Sequence, residues 1–385
     1  MRENRRVLIA HAFYRQFGGE DQYVHQQVDL LQKYHTVQLL SLRNDELVSR
    51  FRTLKDFVYS RQRERDVVEE IRAFRPHVIH LHNPYPAFGP AVHLAASRLR
   101  IPLVQTVHNL RLRCPNGYMF TEGSVCRRCE RGMYIHAAIH DCFPDRTQAA
   151  SYAASLWLHR FILHLNTRVT RFVAPSNFML QRLRSWDIST EKISLIRNFT
   201  DIPEGSDFSP GLYGMYLGRL SHEKGLNVLL AALVEARDPR FVFVGDGPAR
   251  HSLEQETKRL ALRNTVFRGE QSRQRVDALL RESRFLVIPS VWEENAPLAA
   301  LEALARARPL VVADIGGLSE LAMDGQGLIF PPSDSHGLAR HIRKLMIEDD
   351  LCQQMGAKAR SFAEARLSGD KHAADLERLY ESLTL

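Results

Sequence analysis

Short apolar segments alternate with helix-length segments through both halves of the 385-residue chain. The helix-length segments include residues 21–34, DQYVHQQVDLLQKY, and residues 90–100, PAVHLAASRLR. Short buried strands joined by such segments are typical of parallel, doubly wound α/β sheets. The predicted strands are Arg6–Ala10, Val37–Leu40, His77–His82, Pro102–His108, Arg171–Ser176 and Lys192–Asn198 in the first half, and Tyr213–Gly218, Phe241–Gly245, Thr265–Gly269, Phe285–Pro289 and Pro309–Asp314 in the second.

A change in composition separates the two halves. Residues 200–214 include DIPEGSDFSPG, which is rich in Gly, Pro, Ser and Asp and predicts a linker. A chain of this length with 44% hydrophobic residues can bury two cores of ordinary size. We therefore predict an N-terminal domain at 1–200 with a cysteine-rich insert at 110–145, a C-terminal domain at 201–367, and a last amphipathic helix at 368–385.

The net charge of +8 and the pI near 9.3 indicate an anionic partner. A nucleotide-sugar, a pyrophosphate-linked lipid, a membrane surface and a nucleic acid all meet this description. The N-terminal residues MRENRRVLIAHAFY do not resemble a signal peptide, and the apolar run nearest to membrane-spanning length is interrupted by His159 and Arg160. We expect a cytoplasmic protein.

The segment from Phe285 to Arg306 predicts a strand, a polar turn and a helix. Asn295 is a predicted N-cap, and Pro297 suits a first helical turn, where backbone N–H groups lack partners. A helix N-terminus at the carboxyl edge of an α/β sheet is a common phosphate site. On this helix Glu302 lies beside an apolar face, where a carboxylate needs a partner. That partner is either an arginine or a ligand rich in hydroxyl and phosphate groups. Glu294, in the turn, either faces the same ligand or is a loop residue without a functional role.

Two glycine-containing turns in the second half are candidate phosphate sites. The segment GRLSHEKG places Arg219 and Lys224 between a strand that ends at Gly218 and a following helix. A guanidinium fork and a mobile ammonium suit a diphosphate, although a solvated basic turn has the same composition. In GDGPAR, Gly245 and Gly247 serve either a ligand or a tight turn.

The first half offers a glycine pair and three histidines. Gly18 and Gly19, in the FGGE segment after the first strand, would let backbone amides approach a ligand closely. His80, His82 and His108 fall at predicted strand ends, where each is either structural or able to hydrogen-bond a ligand hydroxyl.

Four cysteines lie in the insert. Cys114, Cys126, Cys129 and Cys142 are separated by eleven, two and twelve residues. A C-x-x-C pair with two further thiols predicts a structural zinc site in a cytosolic protein, with unliganded thiols as the alternative. His136 and His140 are near enough in sequence to replace one cysteine, whereas Cys352 stands alone in a predicted helix.

These motifs together resemble glycosyltransferase family 4. Glu294 and Glu302 match the E-x7-E signature, and WEENAP at 292–297 is similar to the W-x-E-N-x-P form of one subgroup. The GR and EKG elements look like the family's donor-phosphate motif, FGGE resembles its GG-x-E loop and GDGPAR its G-x-G-P turn. The segment HNLRLRCPNG is similar to one found in some members that carry further cysteines. One departure is ARARP at 305–309, where the family usually has a glycine before the proline.

The resemblance implies the GT-B fold: two Rossmann-like, doubly wound domains facing across a cleft, with the C-terminal helix crossing back to the N-terminal domain. It also implies a retaining glycosyltransferase of the hexosyl type that requires no cofactor for catalysis. The expected donor is a nucleoside-diphosphate sugar, and the expected acceptor is a glycan or a polyprenyl-linked hydroxyl in surface polysaccharide biosynthesis.

The resemblance assigns roles to individual residues. The catalytic set is Glu294, His108, Arg219 and Lys224, with His108 near the donor sugar. The donor-binding set is Glu302, Asn295, Ala296, Pro297, Leu298, Gly18, Gly19, Gly218, Gly245 and Gly247.

Two other functions remain open at this point. One is a different GT-B enzyme, such as a nucleotide-sugar epimerase or a phosphorylase. The other is a basic, zinc-stapled nucleic-acid-binding protein, which would leave both glutamates unexplained, so that no nucleic-acid partner is expected. Two stretches, Arg50–Asp66 and Ser155–Leu165, are either solvated faces or peripheral contacts with the inner membrane surface.

Overall fold

The computed structural model describes residues 4–16, 18–43, 58–140, 142–205 and 208–384. Phe17 and the first part of the basic stretch Arg50–Asp66 therefore lie outside the described residues. The chain forms two compact units. The first contains residues 1–122, 126–197 and 372–385, and the second contains residues 123–125 and 198–371.

The first unit is built on a six-stranded sheet with the order β2-β1-β3-β4-β7-β8, and every pair of neighbours is parallel. The two remaining strands in this part of the chain, β5 and β6, are two-residue segments of the cysteine-containing insert. The strands are β1 (Arg6–Phe13), β2 (Thr36–Arg43), β3 (Val78–Leu81), β4 (Leu103–Thr106), β5 (Phe120–Thr121), β6 (Ser124–Val125), β7 (Arg171–Ala174) and β8 (Ile193–Leu195).

Strand β1 is buried on both faces and pairs with a strand on each side. Val7, Leu8, Ile9 and Ala10 are fully buried, which explains why the strand is a continuous apolar run. Val7 pairs with Val37 on one side and with Val78 on the other. The surrounding helices are α1 (Gly19–Leu31), α2 (Arg61–Phe74), α3 (Ala91–Leu99), α4 (His136–Ile139), α5 (Arg146–Trp157), α6 (Leu165–Arg168) and α7 (Asn177–Ser185), and a π-helical segment, Leu158–Ile162, follows α5.

The second unit repeats the architecture with the strand order β11-β10-β9-β12-β13-β14, again entirely parallel. The strands are β9 (Tyr213–Leu217), β10 (Phe241–Val244), β11 (Thr265–Phe267), β12 (Ser283–Ile288), β13 (Leu310–Ala313) and β14 (Gly327–Phe330). The helices are α8 (Leu226–Glu235), α9 (Arg250–Arg259), α10 (Arg273–Glu282), α11 (Leu298–Ala305), α12 (Ser335–Ile347) and α13 (Asp349–Arg366).

Strand β14 is absent from the sequence prediction. Its four residues, GLIF, are too few to show a period, and no helix-length segment precedes them. The strand is defined by pairing, because Leu310 and Val311 of β13 lie opposite Gly327 and Leu328.

The last helix, α14 (Gly369–Thr384), belongs to the first unit from His372 onward. Nε2 of His372 lies 3.1 Å from the Tyr23 hydroxyl, and Nδ1 of His80 lies 2.6 Å from the Tyr380 hydroxyl. Arg5 and Glu377 form a buried ion pair. Among the described residues, no helix is long and apolar enough to cross a membrane.

Candidate active site

The loop that follows β12 carries a buried carboxylate with three hydrogen-bond donors. Oε1 of Glu294 accepts from Nζ of Lys224 at 2.6 Å, from the Ser290 hydroxyl at 2.7 Å and from Nε1 of Trp292 at 3.0 Å. The Glu294 side chain is 7% exposed and that of Lys224 is 20% exposed. The Lys224 ammonium also lies 5.1 Å from the centre of the Trp292 ring, a favourable position for a cation.

Backbone contacts hold the two loops of this site together. The amide of Val291 donates to the Glu223 carbonyl at 3.0 Å. Gly225 has φ 68°, and a Cβ at this position would lie 1.9 Å from the Pro289 carbonyl oxygen. Only glycine permits both the left-handed conformation and this close approach. The glycine after EK therefore places Lys224 against the end of β12.

The glycines at the ends of β9 and β10 are also in contact. The Gly218 amide donates to the Val244 carbonyl at 3.0 Å, and a Cβ on Gly245 would lie 2.0 Å from the Gly218 carbonyl oxygen. A Cβ on Gly247 would lie 2.3 Å from the Leu220 carbonyl oxygen. The structure thus gives these glycines a packing role at the carboxyl edge of the sheet, next to the exposed side chain of Arg219.

Helix α11 begins later than the sequence predicts. Its N-cap is Pro297, which has an extended ψ of 128° and makes no side-chain capping hydrogen bond. The prediction of Asn295 as the N-cap is therefore wrong. The reason is that Pro297 adopts an extended conformation and does not continue a helical turn started at Ala296. The backbone N–H groups of Leu298 and Ala299 are then at the start of the helix, where no intrahelical partner exists.

The half-buried Glu302 lies on α11 in the same unit. Its backbone carbonyl accepts from Arg306, whose guanidinium forms an ion pair with Asp277 at 2.5 Å. Helix α11 is further held by a hydrogen bond from Asn198 to the Ala296 carbonyl at 3.4 Å. The second unit thus brings Glu294, Lys224 and the N-terminus of α11 to one edge of its sheet, because β9 and β12 are neighbours.

In the first unit, three histidine rings form a stack. The ring centres of His80 and His82 are 4.6 Å apart and those of His82 and His108 are 5.2 Å apart, and Nδ1 of His82 lies 2.9 Å from Nε2 of His108. Burial lowers the pKa of His80 and of His108 to about 3, and it lowers the pKa of His82 well below its usual range. All three imidazoles are therefore neutral at physiological pH.

His80 does not lie at a strand end. It lies within β3 and is fully buried, between the Tyr380 hydroxyl at 2.6 Å and the Thr106 hydroxyl at 2.7 Å. The sequence leaves open whether His80 is structural or binds a ligand hydroxyl, and these two contacts show that it is structural. His108, which follows β4 by two residues and is half-buried, keeps its candidate role.

The glycine pair of the first unit lies at the start of α1. The Gly18 amide donates to Oδ2 of Asp21 at 3.0 Å, and the other oxygen of this fully buried carboxylate lies 2.8 Å from Nε2 of His11. Gly19 is exposed as the first residue of the helix. The loop is therefore fixed by a carboxylate and an imidazole that the sequence motif does not include.

Sequence reasoning also missed a polar group beside this loop. The Tyr14 hydroxyl donates to Oε2 of Glu20 at 2.9 Å, and Nδ2 of Asn109 lies 3.3 Å from both atoms. Oε1 of Glu20 is buried without a hydrogen-bond partner among the described residues. Burial raises the pKa of Glu20. In the sequence, the FGGE and TVHN motifs contain Glu20 and Asn109 of this group, but no motif contains Tyr14.

The four cysteines of the insert line a single small cavity. All four are free thiols. Burial, together with the neighbouring thiols Cys114, Cys142 and Cys126, raises the pKa of Cys129 to about 12. Within the described residues, no three Cys, His, Asp or Glu side chains stand close enough to hold a metal ion without moving.

Two family models match the chain. The model for Glycosyltransferase Family 4 covers residues 17–203, and the model for Glycosyl transferases group 1 covers residues 206–362. The first model falls mainly within the first unit and the second model within the second unit. The chain is a GT-B glycosyltransferase. This result confirms the predicted fold class and the predicted enzyme class.

Individual glycosyltransferases are similar over parts of their length. Alpha-D-kanosaminyltransferase of Streptomyces kanamyceticus is 30% identical over 177 residues, which are 44% of this chain and 46% of that protein. The putative teichuronic acid biosynthesis glycosyltransferase TuaC of Bacillus subtilis is 25% identical over 81% of this chain and 72% of its own. Glycogen synthase of Mycobacterium tuberculosis is 29% identical over 78% of this chain and 66% of its own.

Solved structures share the fold over the whole chain. A glycosyltransferase from Rickettsia africae superposes with a TM-score of 0.71 at 16% identity, covering 99% of this chain and 98% of that one. Anabaena HepE in complex with UDP and glucose superposes with a TM-score of 0.70 at 19% identity, covering 99% of this chain and 100% of that one.

Proposed function

We propose that this GT-B glycosyltransferase transfers a sugar from a nucleoside-diphosphate sugar to an acceptor hydroxyl with retention of anomeric configuration. The observation that carries the proposal is the buried Glu294 carboxylate, whose Oε1 is held 2.6 Å from Nζ of Lys224 at the carboxyl edge of the second sheet. Two neighbouring loops thus offer a carboxylate for sugar hydroxyls and a cation for phosphate.

In this reaction the bond from the anomeric carbon to the diphosphate breaks, and negative charge grows on the departing phosphate oxygen. Lys224, the exposed Arg219 and the uncapped N-terminus of α11 stabilise that charge. Glu302 accepts hydrogen bonds from the ribose of the donor. The same departing oxygen then receives the proton of the acceptor hydroxyl as the new glycosidic bond forms on the same face of the sugar.

Retention without a covalent intermediate fits the surroundings of Glu294. Three donors converge on its Oε1, which lowers its nucleophilicity and suits it to orient sugar hydroxyls. The neutral imidazole of His108 hydrogen-bonds a donor-sugar hydroxyl. In this mechanism the chain's own residues supply the charge stabilisation, and no cofactor takes part.

The nucleotide is tested by thermal shift with UDP, GDP, ADP and dTDP and their common sugar conjugates. A ligand that binds only the folded state raises the melting temperature. One nucleotide family is expected to stabilise the wild-type protein but neither Lys224→Ala nor Glu302→Ala. Lys258→Ala removes an exposed lysine at the far end of α9 and is expected to keep the shift.

Two outcomes would contradict the proposal. If nucleic acid and none of the nucleotides stabilises the protein, the transferase assignment fails. If a transferred sugar appears with inverted configuration in a proton NMR assay of the product, the retaining mechanism fails.

We further propose that the acceptor is a glycan precursor carried by a polyprenyl lipid, met at the cytoplasmic surface of the membrane. The support is an apolar surface of the first unit, in which Ile135, Ile139 and Ile162 are 59%, 59% and 55% exposed. It includes Trp157 and Phe161, whose rings are 5.9 Å apart. Exposed Arg128 and Arg131 lie in the same insert, 110–145, as Ile135 and Ile139, and a surface with both apolar side chains and guanidinium groups suits an anionic bilayer.

Cosedimentation with vesicles tests the membrane contact. Binding to vesicles containing phosphatidylglycerol, but not to pure phosphatidylcholine, is expected, and Ile162→Glu is expected to weaken it. Ile347→Glu is the matched control, since Ile347 is 77% exposed in the other unit. Equal loss in both variants, or no vesicle binding by the wild-type protein, would refute the membrane contact but would leave the nucleotide result intact.

A further inference from the structure

The transferase chemistry leaves the cysteine-containing insert without a role. One small cavity in this insert is lined by Cys114, Cys126, Cys129 and Cys142, although up to twenty-seven residues separate them in sequence. The fold thus collects four of the five cysteines of the chain around one point. The fifth, Cys352, is buried in α13 of the other unit.

Tight turns deliver the thiols to the cavity. The Gly117 amide donates to the Cys114 carbonyl at 3.0 Å, and the Gly132 amide donates to the Cys129 carbonyl at 2.9 Å. The Cys126 amide donates to the Met119 carbonyl at 2.7 Å, which joins the two turns. This backbone organisation exists apart from any bond between the sulfur atoms, because all four cysteines are unbridged.

We propose that Cys114, Cys126, Cys129 and Cys142 bind one zinc ion as four thiolates. Each thiol releases its proton on binding, and the Sγ atoms must move inward, because in the structure they do not form a metal-binding group. A four-thiolate site is closed to further ligands, so this ion would stabilise the insert and take no part in sugar transfer.

The surroundings of the cavity fit such a centre. Four thiolates around a divalent cation carry a net charge of −2, and guanidinium groups lie beside them. Nη1 of Arg128 is 4.0 Å from Sγ of Cys126 and 3.1 Å from Oε2 of Glu122. Nη1 of Arg127 lies 3.1 Å from Sδ of Met119, another residue that lines the cavity.

The cavity also contains two imidazoles, so the ligand set requires a choice. Nδ1 of His140 lies 3.1 Å from Oε1 of Glu122. Nδ1 of His136 is buried without a hydrogen-bond partner among the described residues, which makes His136 the alternative fourth ligand. We favour four thiolates because sulfur is the softer ligand and all four cysteines reach the same cavity.

The expected consequence is local order near the polar group formed by Tyr14, Glu20 and Asn109. Cys114 follows Asn109 by five residues, and Nη2 of Arg111 lies 3.5 Å from the Asn116 carbonyl in the intervening turn. On its other side, Cys129 packs with Tyr134 against Ala153 and Leu156 of α5. A zinc ion would therefore fasten the Asn109 turn to α5.

Metal analysis of protein purified without a polyhistidine tag tests the proposal. Plasma mass spectrometry is expected to find one zinc per chain, and Cys126→Ser and Cys129→Ser are expected to lose it. Cys352→Ala is the matched control, because it removes a buried cysteine outside the insert and is expected to keep the ion. In a cobalt-substituted sample, sulfur-to-metal charge-transfer absorption is expected in the wild type and in His136→Ala.

Each opposite result overturns the proposal. Protein without stoichiometric metal that also binds no added zinc would leave four unliganded thiols. Loss of metal in His136→Ala, with retention in one of the cysteine variants, would replace the four-thiolate set by three thiolates and an imidazole. To cover variants that fail to fold, wild-type protein is titrated with a strong chelator. The melting temperature is expected to fall and to return on addition of zinc, and a temperature that does not change would count against the site.

Discussion

Nζ of Lys224 lies 2.6 Å from Oε1 of Glu294, although seventy residues separate the two in sequence. The same oxygen accepts from Ser290 and Trp292, so Glu294 keeps two donors when Lys224 turns towards a diphosphate. The ion pair therefore preorganises both side chains before any donor binds. This arrangement limits the reorganisation that would otherwise accompany charge development.

Substitution of these two residues should affect different steps. Lys224→Ala is expected to weaken nucleoside-diphosphate binding about 10- to 100-fold, the range typical of one hydrogen bond to a charged group. Glu294→Gln is expected to lower kcat and to change nucleoside-diphosphate affinity little, because the carboxylate faces the sugar. Calorimetric titration with the nucleotide and a steady-state transfer assay separate the two effects. Equal loss of nucleotide affinity in both variants would contradict the assignment.

Gly225 should tolerate no side chain. Alanine at a left-handed position costs about 1–2 kcal/mol, and here its Cβ would also lie 1.9 Å from the Pro289 carbonyl oxygen. Gly205 is the matched control: its φ is 73° and no atom of the described residues lies within 4 Å of its Cβ position. In urea unfolding, Gly225→Ala is expected to lower the free energy of unfolding by at least about 1 kcal/mol more than Gly205→Ala does, because only alanine at position 225 overpacks its surroundings. Equal losses would mean that the close approach to Pro289 has no energetic weight.

The sheet architecture could be predicted from sequence because it follows from local patterns. The runs RVLIA, FVFVG and FLVIP are strands, since a fully buried parallel strand is continuously apolar. Strand β14 could not be predicted, because pairing with β13 and not its own four residues defines it. At 305–309, where the resemblance leads us to expect a glycine, Ala307 adopts the left-handed conformation with φ 57°. The turn is thus kept without its usual residue.

The candidate site was predictable only as a set of motifs. Lys224 and Glu294 could be named separately, but sequence gives no distance between side chains on two loops. The Tyr14 and Glu20 contact was missed for the same reason, since neighbours in space leave no periodic signal. His80 was placed at a strand end because the apolar pattern does not reveal Tyr380, three hundred residues later, as its partner.

The Tyr14 hydroxyl is expected to contribute to acceptor binding. It bonds Glu20 at 2.9 Å next to Asn109, and Oε1 of Glu20 is buried without a partner among the described residues, so an acceptor hydroxyl could donate to it. Tyr14→Phe is expected to raise the KM for the acceptor about tenfold, the effect of one lost hydrogen bond in a buried group. The thermal shift caused by the nucleotide should not change, since this group lies in the first unit.

Tyr59→Phe is the matched control for this prediction. Tyr59 donates to Glu64 at 3.1 Å in the same kind of pair, but on the exposed start of α2. Its removal is expected to leave the acceptor KM unchanged. If both phenylalanine variants behave like the wild-type enzyme, the acceptor role of Tyr14 is refuted.

Acid should destabilise the first unit through its histidine stack. Burial lowers the pKa of His80 and of His108 to about 3 from the usual 6.5. Between these values the unfolded chain binds protons that the folded chain excludes, so the free energy of unfolding falls as pH drops from 6.5 towards 3. Each histidine contributes at most about 1.4 kcal/mol per pH unit over this range. Glu20, whose pKa is raised by burial, acts in the opposite direction above pH 4.5 and offsets part of the slope.

Urea unfolding at pH 7, 6 and 5, followed by tryptophan emission, measures this slope, since Trp157 and the buried Trp186 belong to the first unit. His108→Asn is expected to reduce the slope of the unfolding free energy against pH by at most the contribution of one proton, about 1.4 kcal/mol per pH unit. His251→Asn removes an exposed histidine from the second unit and is expected to leave the slope unchanged. A free energy of unfolding that stays constant from pH 7 to pH 5 would mean that the imidazoles of the stack are not buried in the neutral form. His108 would then meet a donor sugar as a cation, and its role as a neutral hydrogen-bonding group would have to be abandoned.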